Sequence, residues 1–279
     1  METTIDIDLE RALGGGVTAS ESAGGKLADP YTDEIILSPG VYPNMPDAEY
    51  RRVQAVSKSD LDKWAGGSDI DPRVALLGTV FHACILEPGV ASERIVRADI
   101  DRRSKAKWDE LCEANAGKWV LTKGEYADVS AWVDACMRDA VLSATRDHAH
   151  ANPDRTELVV VWRDSETGLV CKAKIDQNAT SVLVDWKTTS CSGPDDFALS
   201  AAKFGYGMQA VHYQRGFKAA TGEEKAMAFA CIGKRKDHGN PTWVYRPTAA
   251  EIASGERQLR QLIHLFCRYQ PDHPALIPF

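Results

Sequence analysis

Three strand-like runs follow one another after residue 150, and each of them carries an acidic residue. The runs are Thr156–Trp162, Ala173–Asp176 and Val182–Thr189. β-Branched residues are frequent in them, as is typical of strands within a sheet. Side chains alternate along a strand with period two, so Asp185 and Lys187 project from the same side of the third run. The runs predict one sheet that brings carboxylates and an amine to a common edge.

These residue types suit a divalent-metal site that cleaves phosphodiester bonds. Such cleavage requires neutralised charge on the phosphate and an activated water, and hard oxygen ligands hold the metal that helps with both. Asp176 and Asp185 are placed to share a metal, with Glu157 within reach. Lys187 is placed to orient or deprotonate water, or to stabilise charge on phosphorus. An Asp-x-Lys pair alone is also common on exposed strand faces.

The net charge of −7 is concentrated at the start of the chain. Residues 1–50 hold ten acidic residues against Arg11 and Lys26, whereas the remainder is close to neutral. The body of the protein is therefore free to present basic surface to DNA. Residues 1–30 are rich in Gly, Ser and Ala, and we expect a flexible acidic segment there, followed by a single domain over 31–279.

Several cofactor and membrane classes are disfavoured by the sequence. The seven cysteines are dispersed without a CxxC motif, which predicts reduced thiols in a cytoplasmic protein and no iron–sulfur cluster. Leu27 follows Gly25-Lys26 where a P-loop needs Ser or Thr, so ATP binding is not indicated. No apolar run is long enough to cross a bilayer, and no secretory signal is apparent.

Periodicity predicts an α/β fold with a mixed central sheet flanked by helices. After an extended lead-in over 31–50, helices are expected at about 57–64, 74–86, 104–115, 122–142, 194–202, 206–220 and 248–268. Strands are expected at about 157–163, 169–177, 181–187, 226–233 and 242–246.

Two of these helices carry further polar side chains with defined spacing. His82 follows Gly78 by four residues in the apolar helix 74–86, so both lie on one face. A histidine in such a helix is more often a hydrogen-bonded core residue than a metal ligand. Gln209 and Tyr213 are also four residues apart, which is equally typical of an ordinary amphipathic helix.

The ordered set of these residues resembles the RecB-type branch of the PD-(D/E)xK nucleases. The segments Leu77–Pro88, Glu166–Asp176 and Asp185–Thr189 are similar to the nuclease domain of exodeoxyribonuclease VIII (RecE). The resemblance covers about residues 40–270. One position departs from the family, which usually has Pro or Arg before the first aspartate, where this chain has Ile175.

The resemblance implies a role for each matching residue. The implied ligands of Mg²⁺, for which Mn²⁺ can substitute, are His82, Asp176, Asp185 and the backbone carbonyl of Trp186, with Glu157 completing the acidic cluster. The implied catalytic lysine is Lys187. Gln209 and Tyr213 would support the site or contact DNA.

The same resemblance implies an activity and partners. It predicts an exodeoxyribonuclease that degrades linear double-stranded DNA from 5′ to 3′ and leaves 3′ overhangs. Members belong to phage or prophage recombination systems, act beside a RecT-like single-strand annealing protein and form rings. A fainter similarity to lambda-type exonucleases assigns Arg52, Ser57 and Ser59 to a 5′ phosphate, although either serine would equally serve as a helix cap.

Two other interpretations remain open. A Cas4- or AddB-like nuclease has the same motif order, but such proteins carry a four-cysteine iron–sulfur cluster. A catalytically silent DNA-binding module would retain the fold without cleaving DNA. A basic run from Arg94 to Lys107 suits a DNA channel, although such runs are usually solvated faces.

Overall fold

The computed structural model describes residues 34–67 and 70–276. The segment 1–30, predicted to be flexible, lies outside the described residues. The eight strands found in the described part are β1 (Gly40–Tyr42), β2 (Ile95–Ala98), β3 (Trp119–Thr122), β4 (Thr156–Arg163), β5 (Val170–Asn178), β6 (Val182–Thr189), β7 (Ala226–Gly233) and β8 (Thr242–Tyr245).

Six of these strands form one mixed sheet in the order β1-β4-β5-β6-β7-β8. β6 and β7 are parallel, and the other neighbours in this sheet are antiparallel. A parallel pair requires a crossover, which the helices between β6 and β7 provide. β2 and β3 form a separate parallel pair.

Ten α-helices accompany the sheet in the described residues. They are α1 (Asp47–Arg52), α2 (Lys58–Trp64), α3 (Pro72–Leu86), α4 (Pro88–Arg94), α5 (Lys105–Ala114), α6 (Lys123–Arg138), α7 (Ala140–Ala151), α8 (Pro194–Lys203), α9 (Tyr206–Thr221) and α10 (Ala249–Tyr269). Within that part of the chain, none of the helices combines the length and the apolar character needed to span a bilayer.

The sheet separates two hydrophobic cores because neighbouring residues of a strand face opposite sides. In β7, Phe229 and Cys231 belong to the core under α8, α9 and α10, whereas Ala230 and Ile232 belong to the core under α3, α6 and α7. The predicted α/β class, with a mixed central sheet flanked by helices, is confirmed.

The predicted helix over 122–142 is two helices in the structure. Asp139 adopts an extended conformation (φ −84°, ψ 119°), and its carboxylate accepts hydrogen bonds from the backbone N–H groups of Val141 and Leu142. It thereby ends α6 and caps α7, as aspartate commonly does. The carboxylate also accepts a hydrogen bond from Thr242 on β8 (2.8 Å), a contact that the local sequence does not reveal.

Two predictions near prolines were also incomplete. The expected extended lead-in over 31–50 contains β1, and α1 begins within it at Asp47. The helix predicted over 74–86 ends at Leu86, and Pro88 then opens the short helix α4, which the sequence analysis did not predict. Proline is well tolerated in the first turn of a helix, since its missing N–H has no intrahelical partner there.

α9 and α10 pack against each other at two glycines, Gly207 of α9 and Gly255 of α10. A Cβ atom added to Gly255 would lie 2.4 Å from the backbone carbon of Gly207, and one added to Gly207 would lie 2.7 Å from the Glu251 carbonyl oxygen. Backbone atoms cannot move aside as a flexible side chain can, so both positions at this helix contact require glycine. The contact fixes the first turn of α9, which carries Gln209.

We predict that Gly255→Ala destabilises the protein although alanine is the better helix former. The propensity gain is about 1 kcal/mol, whereas overpacking against backbone costs about 1–3 kcal/mol. Gly89→Ala is the matched control, because a Cβ there meets nothing within 4 Å. Thermal unfolding should show a lower Tm for Gly255→Ala and an unchanged or higher Tm for Gly89→Ala. An unchanged Tm for Gly255→Ala would contradict the packing argument.

Candidate metal and catalytic site

The site lies where β5 and β6 part. Their antiparallel pairing covers two residue pairs and ends at Gln177 opposite Val184. One step further along the same register, Asp176 falls opposite Asp185. There the Asp176 side chain replaces a backbone acceptor of the β-ladder, since the backbone N–H of Trp186 donates to Asp176 Oδ2 at 2.7 Å. The splayed strands thus leave an opening bordered by two aspartates.

Glu157 extends this row of acids to β4. The β4–β5 register pairs the residues on both sides of Glu157 but omits Glu157 itself, which falls opposite Asp176. Its backbone has φ +51°, a left-handed conformation that is uncommon for a non-glycine residue within a strand. Such strain is tolerated where surrounding contacts fix the residue, and it frequently marks functional sites.

His82 reaches the same row from α3. Its Nδ1 lies 3.4 Å from Asp176 Oδ2, and 30% of its side chain is exposed. The backbone of Trp186 also acts on the imidazole and raises its pKa. Gly78, one turn earlier, is not sterically required, because an added Cβ would stand 4.0 Å from Thr188 Oγ1.

Three of the predicted ligands form a group that is able to hold a metal ion. One ligand atom from each of His82, Glu157 and Asp176 lies within 4.8 Å of the other two. An imidazole nitrogen with carboxylate oxygens is a donor set that divalent cations such as Mn²⁺ and Mg²⁺ accept. Asp185 borders this group but lies outside it, and its carboxylate contacts other side chains.

Asp185 is held by an amine and an amide. Lys187 Nζ lies 2.7 Å from Asp185 Oδ2, and Gln209 Nε2 donates to Asp185 Oδ1 at 2.7 Å. Gln209 is itself buried, and Tyr213, one turn later on α9, packs against the main core. Of the two predicted roles of Gln209 and Tyr213, the geometry favours support of the site over direct DNA contact.

Crowding of carboxylates shifts the pKa of the groups around Asp176. Burial raises the pKa of the Asp176 carboxyl well above its usual value, and the charges of Asp185 and Glu157 raise it further. Burial also lowers the pKa of His82, against the opposing effect of Asp185 and Glu157. A neutral imidazole has a lone pair for a metal, and a bound cation would relieve the repulsion among the acids.

Lys187 keeps its proton despite burial. Burial alone lowers the pKa of its ammonium, but the charge of Asp185 and interactions with Tyr206 and Asp176 outweigh it and raise the pKa above its usual value. An ammonium with a raised pKa is a poor proton acceptor, which favours stabilisation of negative charge over a general-base role.

Lys174 is a site residue that the sequence analysis missed. Its Nζ lies 2.7 Å from Glu157 Oε2 and also pairs with Asp47 of α1. Burial raises the pKa of Glu157, and Lys174 opposes that rise. The signal was present, since Lys174 precedes Asp176 by two residues on β5, the spacing that drew attention to Asp185 and Lys187.

The structure gives one of the predicted 5′-phosphate residues a role in capping a helix. Ser57 caps α2, sharing a reciprocal capping box with Asp60, so the cap is Ser57 and not Ser59. Arg52 borders a cavity of about 780 Å³ that Asp60 also lines, whereas Ser57, Ser59 and the acidic row do not. The carboxylate of Asp60 at the cap disfavours a phosphate there.

We predict that divalent cations stabilise the wild-type fold through this group. Cation at 100 times its Kd adds about 2.7 kcal/mol, which corresponds to a Tm increase of about 5 °C or more. Asp176→Asn should remove most of that increase, and Asp195→Asn, which changes an exposed acid on α8, should retain it. Thermal melts with Mg²⁺, with Mn²⁺ and with EDTA measure the effect. An equal increase in Asp176→Asn would place the cation elsewhere.

In EDTA, Asp176→Asn should be more stable than the wild type at neutral pH. Because the pKa of Asp176 is raised in the folded state, ionisation destabilises the fold as pH rises from the unfolded-state pKa through the folded-state pKa. The advantage of the amide should therefore shrink as pH falls toward 4. Melting curves between pH 4 and pH 8 test this, and an advantage that grows on acidification would refute the raised pKa.

Comparisons with known proteins bear on the fold and the family of the chain. A crystal structure of a candidate exonuclease from Eubacterium rectale superposes with a TM-score of 0.53 at 15% identity, over 79% of this chain and 82% of that chain. LHK-Exo, solved in complex with dAMP, shares 14% identity over 73% of this chain and 97% of that chain; its TM-score of 0.25 is too low to support any inference. No curated protein sequence matches the chain.

The family model of the PDDEXK-like domain of unknown function (DUF3799) matches residues 49–267, well over half of the chain, and spans the acidic row, His82 and Lys187. The chain belongs to this PDDEXK-like family.

Proposed function

We propose that this protein is a metal-dependent exodeoxyribonuclease that acts on the ends of linear double-stranded DNA. The observation that carries the proposal is the row of Glu157, Asp176 and Asp185 across three neighbouring strands, with the charged Lys187 beside it. Membership of a PDDEXK-like family supports nuclease chemistry, and the Eubacterium rectale protein of similar fold is itself described as a candidate exonuclease.

His82, Glu157 and Asp176 would hold a divalent cation, with Asp185 and the Trp186 carbonyl beside it. Such a cation neutralises charge on the scissile phosphate and makes a water easier to deprotonate. We propose Mg²⁺ as the physiological ion, with Mn²⁺ able to replace it.

The remaining side chains orient the carboxylates or stabilise charge. Lys187 places an ammonium next to the phosphate, where it stabilises the negative charge that develops during attack. Gln209 fixes the orientation of Asp185 by donating to its Oδ1. Lys174 fixes Glu157 in its left-handed backbone conformation by pairing with its carboxylate.

The resemblance of the motifs to the RecE nuclease domain supports a more specific proposal. We infer degradation from 5′ to 3′ that leaves 3′ overhangs, within a phage or prophage recombination system. The partners would be a RecT-like single-strand annealing protein and further copies of this chain in a ring around the duplex. Intact ordering of the motif residues from His82 to Tyr213 supports this view over a catalytically silent module.

A Cas4- or AddB-like role has less support. The cysteines all fall within the described residues and are free thiols, and no three of them there lie close enough together to share a metal. An iron–sulfur cluster needs its thiolates within bonding distance of a common centre. The ultraviolet–visible spectrum of protein purified without oxygen would contradict our preference if it contained a cluster absorption band.

We predict that the wild type degrades linear duplex in Mg²⁺ and leaves closed circular plasmid intact. Lys187→Gln should reduce the rate by about 10²-fold or more, because it removes a positive charge at the reacting phosphate. Lys218→Gln, on the exposed end of α9, is the matched control and should cleave like the wild type. Gel assays of 5′-phosphorylated linear duplex, 5′-hydroxyl linear duplex and plasmid give the rates.

The outcomes separate the alternatives. Nicking of the plasmid would indicate an endonuclease, and no cleavage of any substrate by folded wild type would favour the silent module. Melting curves show whether Lys187→Gln is folded, and Lys187→Arg, which retains the charge, should recover part of the lost rate.

A further inference from the structure

Three aromatic rings form a stack that runs from the core to the surface beside the candidate site. Phe229 of β7 is fully buried, and Tyr206 stacks on it with a centroid distance of 5.3 Å and an interplanar angle of 28°. Phe204 stacks on Tyr206 in turn, at 6.1 Å and 30°. Phe204 is 54% exposed, so the stack ends in an open aromatic surface.

This stack touches Lys187. Its Nζ lies 4.9 Å from the centre of the Tyr206 ring and 5.8 Å from that of Phe229. Neighbouring bases along a strand are about 3.4 Å apart, so Phe204 lies within about three base steps of the ammonium. A strand whose phosphate reaches Lys187 therefore has a base within reach of the Phe204 ring.

The backbone around Phe204 is held in place. Gly205 adopts φ +65°, a left-handed conformation that other side chains rarely adopt, and it forms the turn into α9. Lys58 Nζ donates to the Phe204 carbonyl oxygen at 3.0 Å. The ring is thus presented by a fixed turn, which reduces the entropy lost when a ligand stacks on it.

The charge beside the ring suits nucleic acid. The exposed Lys203 places its Nζ 5.6 Å from the centre of the Phe204 ring. An aromatic face next to a cation matches a base and its adjoining phosphate, the combination by which proteins bind unpaired strands. An apolar protein partner would gain nothing from that ammonium.

We propose that Phe204 is a substrate-positioning residue on which an unpaired base near the scissile phosphodiester stacks. The inference rests on the proposed nuclease function and specifies one contact of its substrate. Stacking would hold the strand as it enters the site and would favour DNA ends whose terminal bases are unpaired.

The experiment measures binding of phosphorothioate-protected duplex in Mg²⁺, so that the DNA is not degraded. 2-Aminopurine replaces each of the first four bases of the 5′ strand in turn, and its fluorescence reports stacking. Phe204→Ala should raise the Kd by about 5-fold to 150-fold, since a stacked base contributes about 1–3 kcal/mol, and should abolish the fluorescence change at one position. Phe204→Trp should retain both.

Leu199→Ala is the matched control. Leu199 lies on α8 and is 77% exposed, more than Phe204, and it should bind DNA and change the fluorescence like the wild type. A wild-type Kd and signal in Phe204→Ala would overturn the proposal. The proposal would also be overturned if both Phe204→Ala and Leu199→Ala sedimented differently from the wild type while the fluorescence signal stayed unchanged. That result would make this patch a contact between copies of the chain.

Failure of the proposed function gives a different pattern. Wild-type protein that binds DNA with the 2-aminopurine signal but cleaves no unprotected substrate would refute the nuclease and leave the stacking contact intact. Cleavage by the wild type together with unchanged binding by Phe204→Ala would refute the stacking contact alone. No binding of DNA by the wild type would overturn both.

Discussion

The hydrogen bond from the Trp186 backbone to Asp176 is the contact on which the site depends. It replaces a ladder hydrogen bond at the point where β5 and β6 separate, so a buried N–H remains satisfied although the strands diverge. Without such a substitute, opening the sheet would leave buried backbone groups unpaired at a cost of about 1–3 kcal/mol each. The acceptor is the Asp176 carboxylate. Asp176 therefore stabilises the separation of the strands and also borders the opening between them.

Electrostatics explains why the row of acids needs its neighbours. Three carboxylates in one row repel one another, and burial raises the pKa of both Asp176 and Glu157. Lys174 neutralises one end of the row and Lys187 the other. The middle carboxyl, Asp176, has a backbone N–H and an imidazole as neighbours, and within the described part of the chain it forms no ion pair with a lysine or arginine. Perturbed groups of this kind concentrate at functional sites, and the middle of the row is where a cation would bring the greatest relief.

The sequence predicted those parts of the protein that depend on local pattern. Strand β7 matched its expected bounds of 226–233, because an unbroken apolar run is sufficient evidence for a central strand. The break at Asp139 and the left-handed backbone of Glu157 depend on contacts between distant segments, and no local pattern encodes them. The period-two spacing of Lys174 and Asp176 could have identified Lys174 from the sequence. Its pairing with Glu157 depends on the register of β4 and β5, which places Glu157 opposite Asp176.

Two arginines of the basic run from Arg94 to Lys107 have structural contacts. Arg94 donates to the Gly117 carbonyl and Arg102 pairs with Glu125, so these side chains hold the small β2–β3 unit together. A cavity of about 640 Å³ opens beside Glu157 at the β4 end of the row, and the aromatic stack lies beside β6 at the other end. On the proposed function, these two openings beside the row are the expected points of contact with the DNA strand.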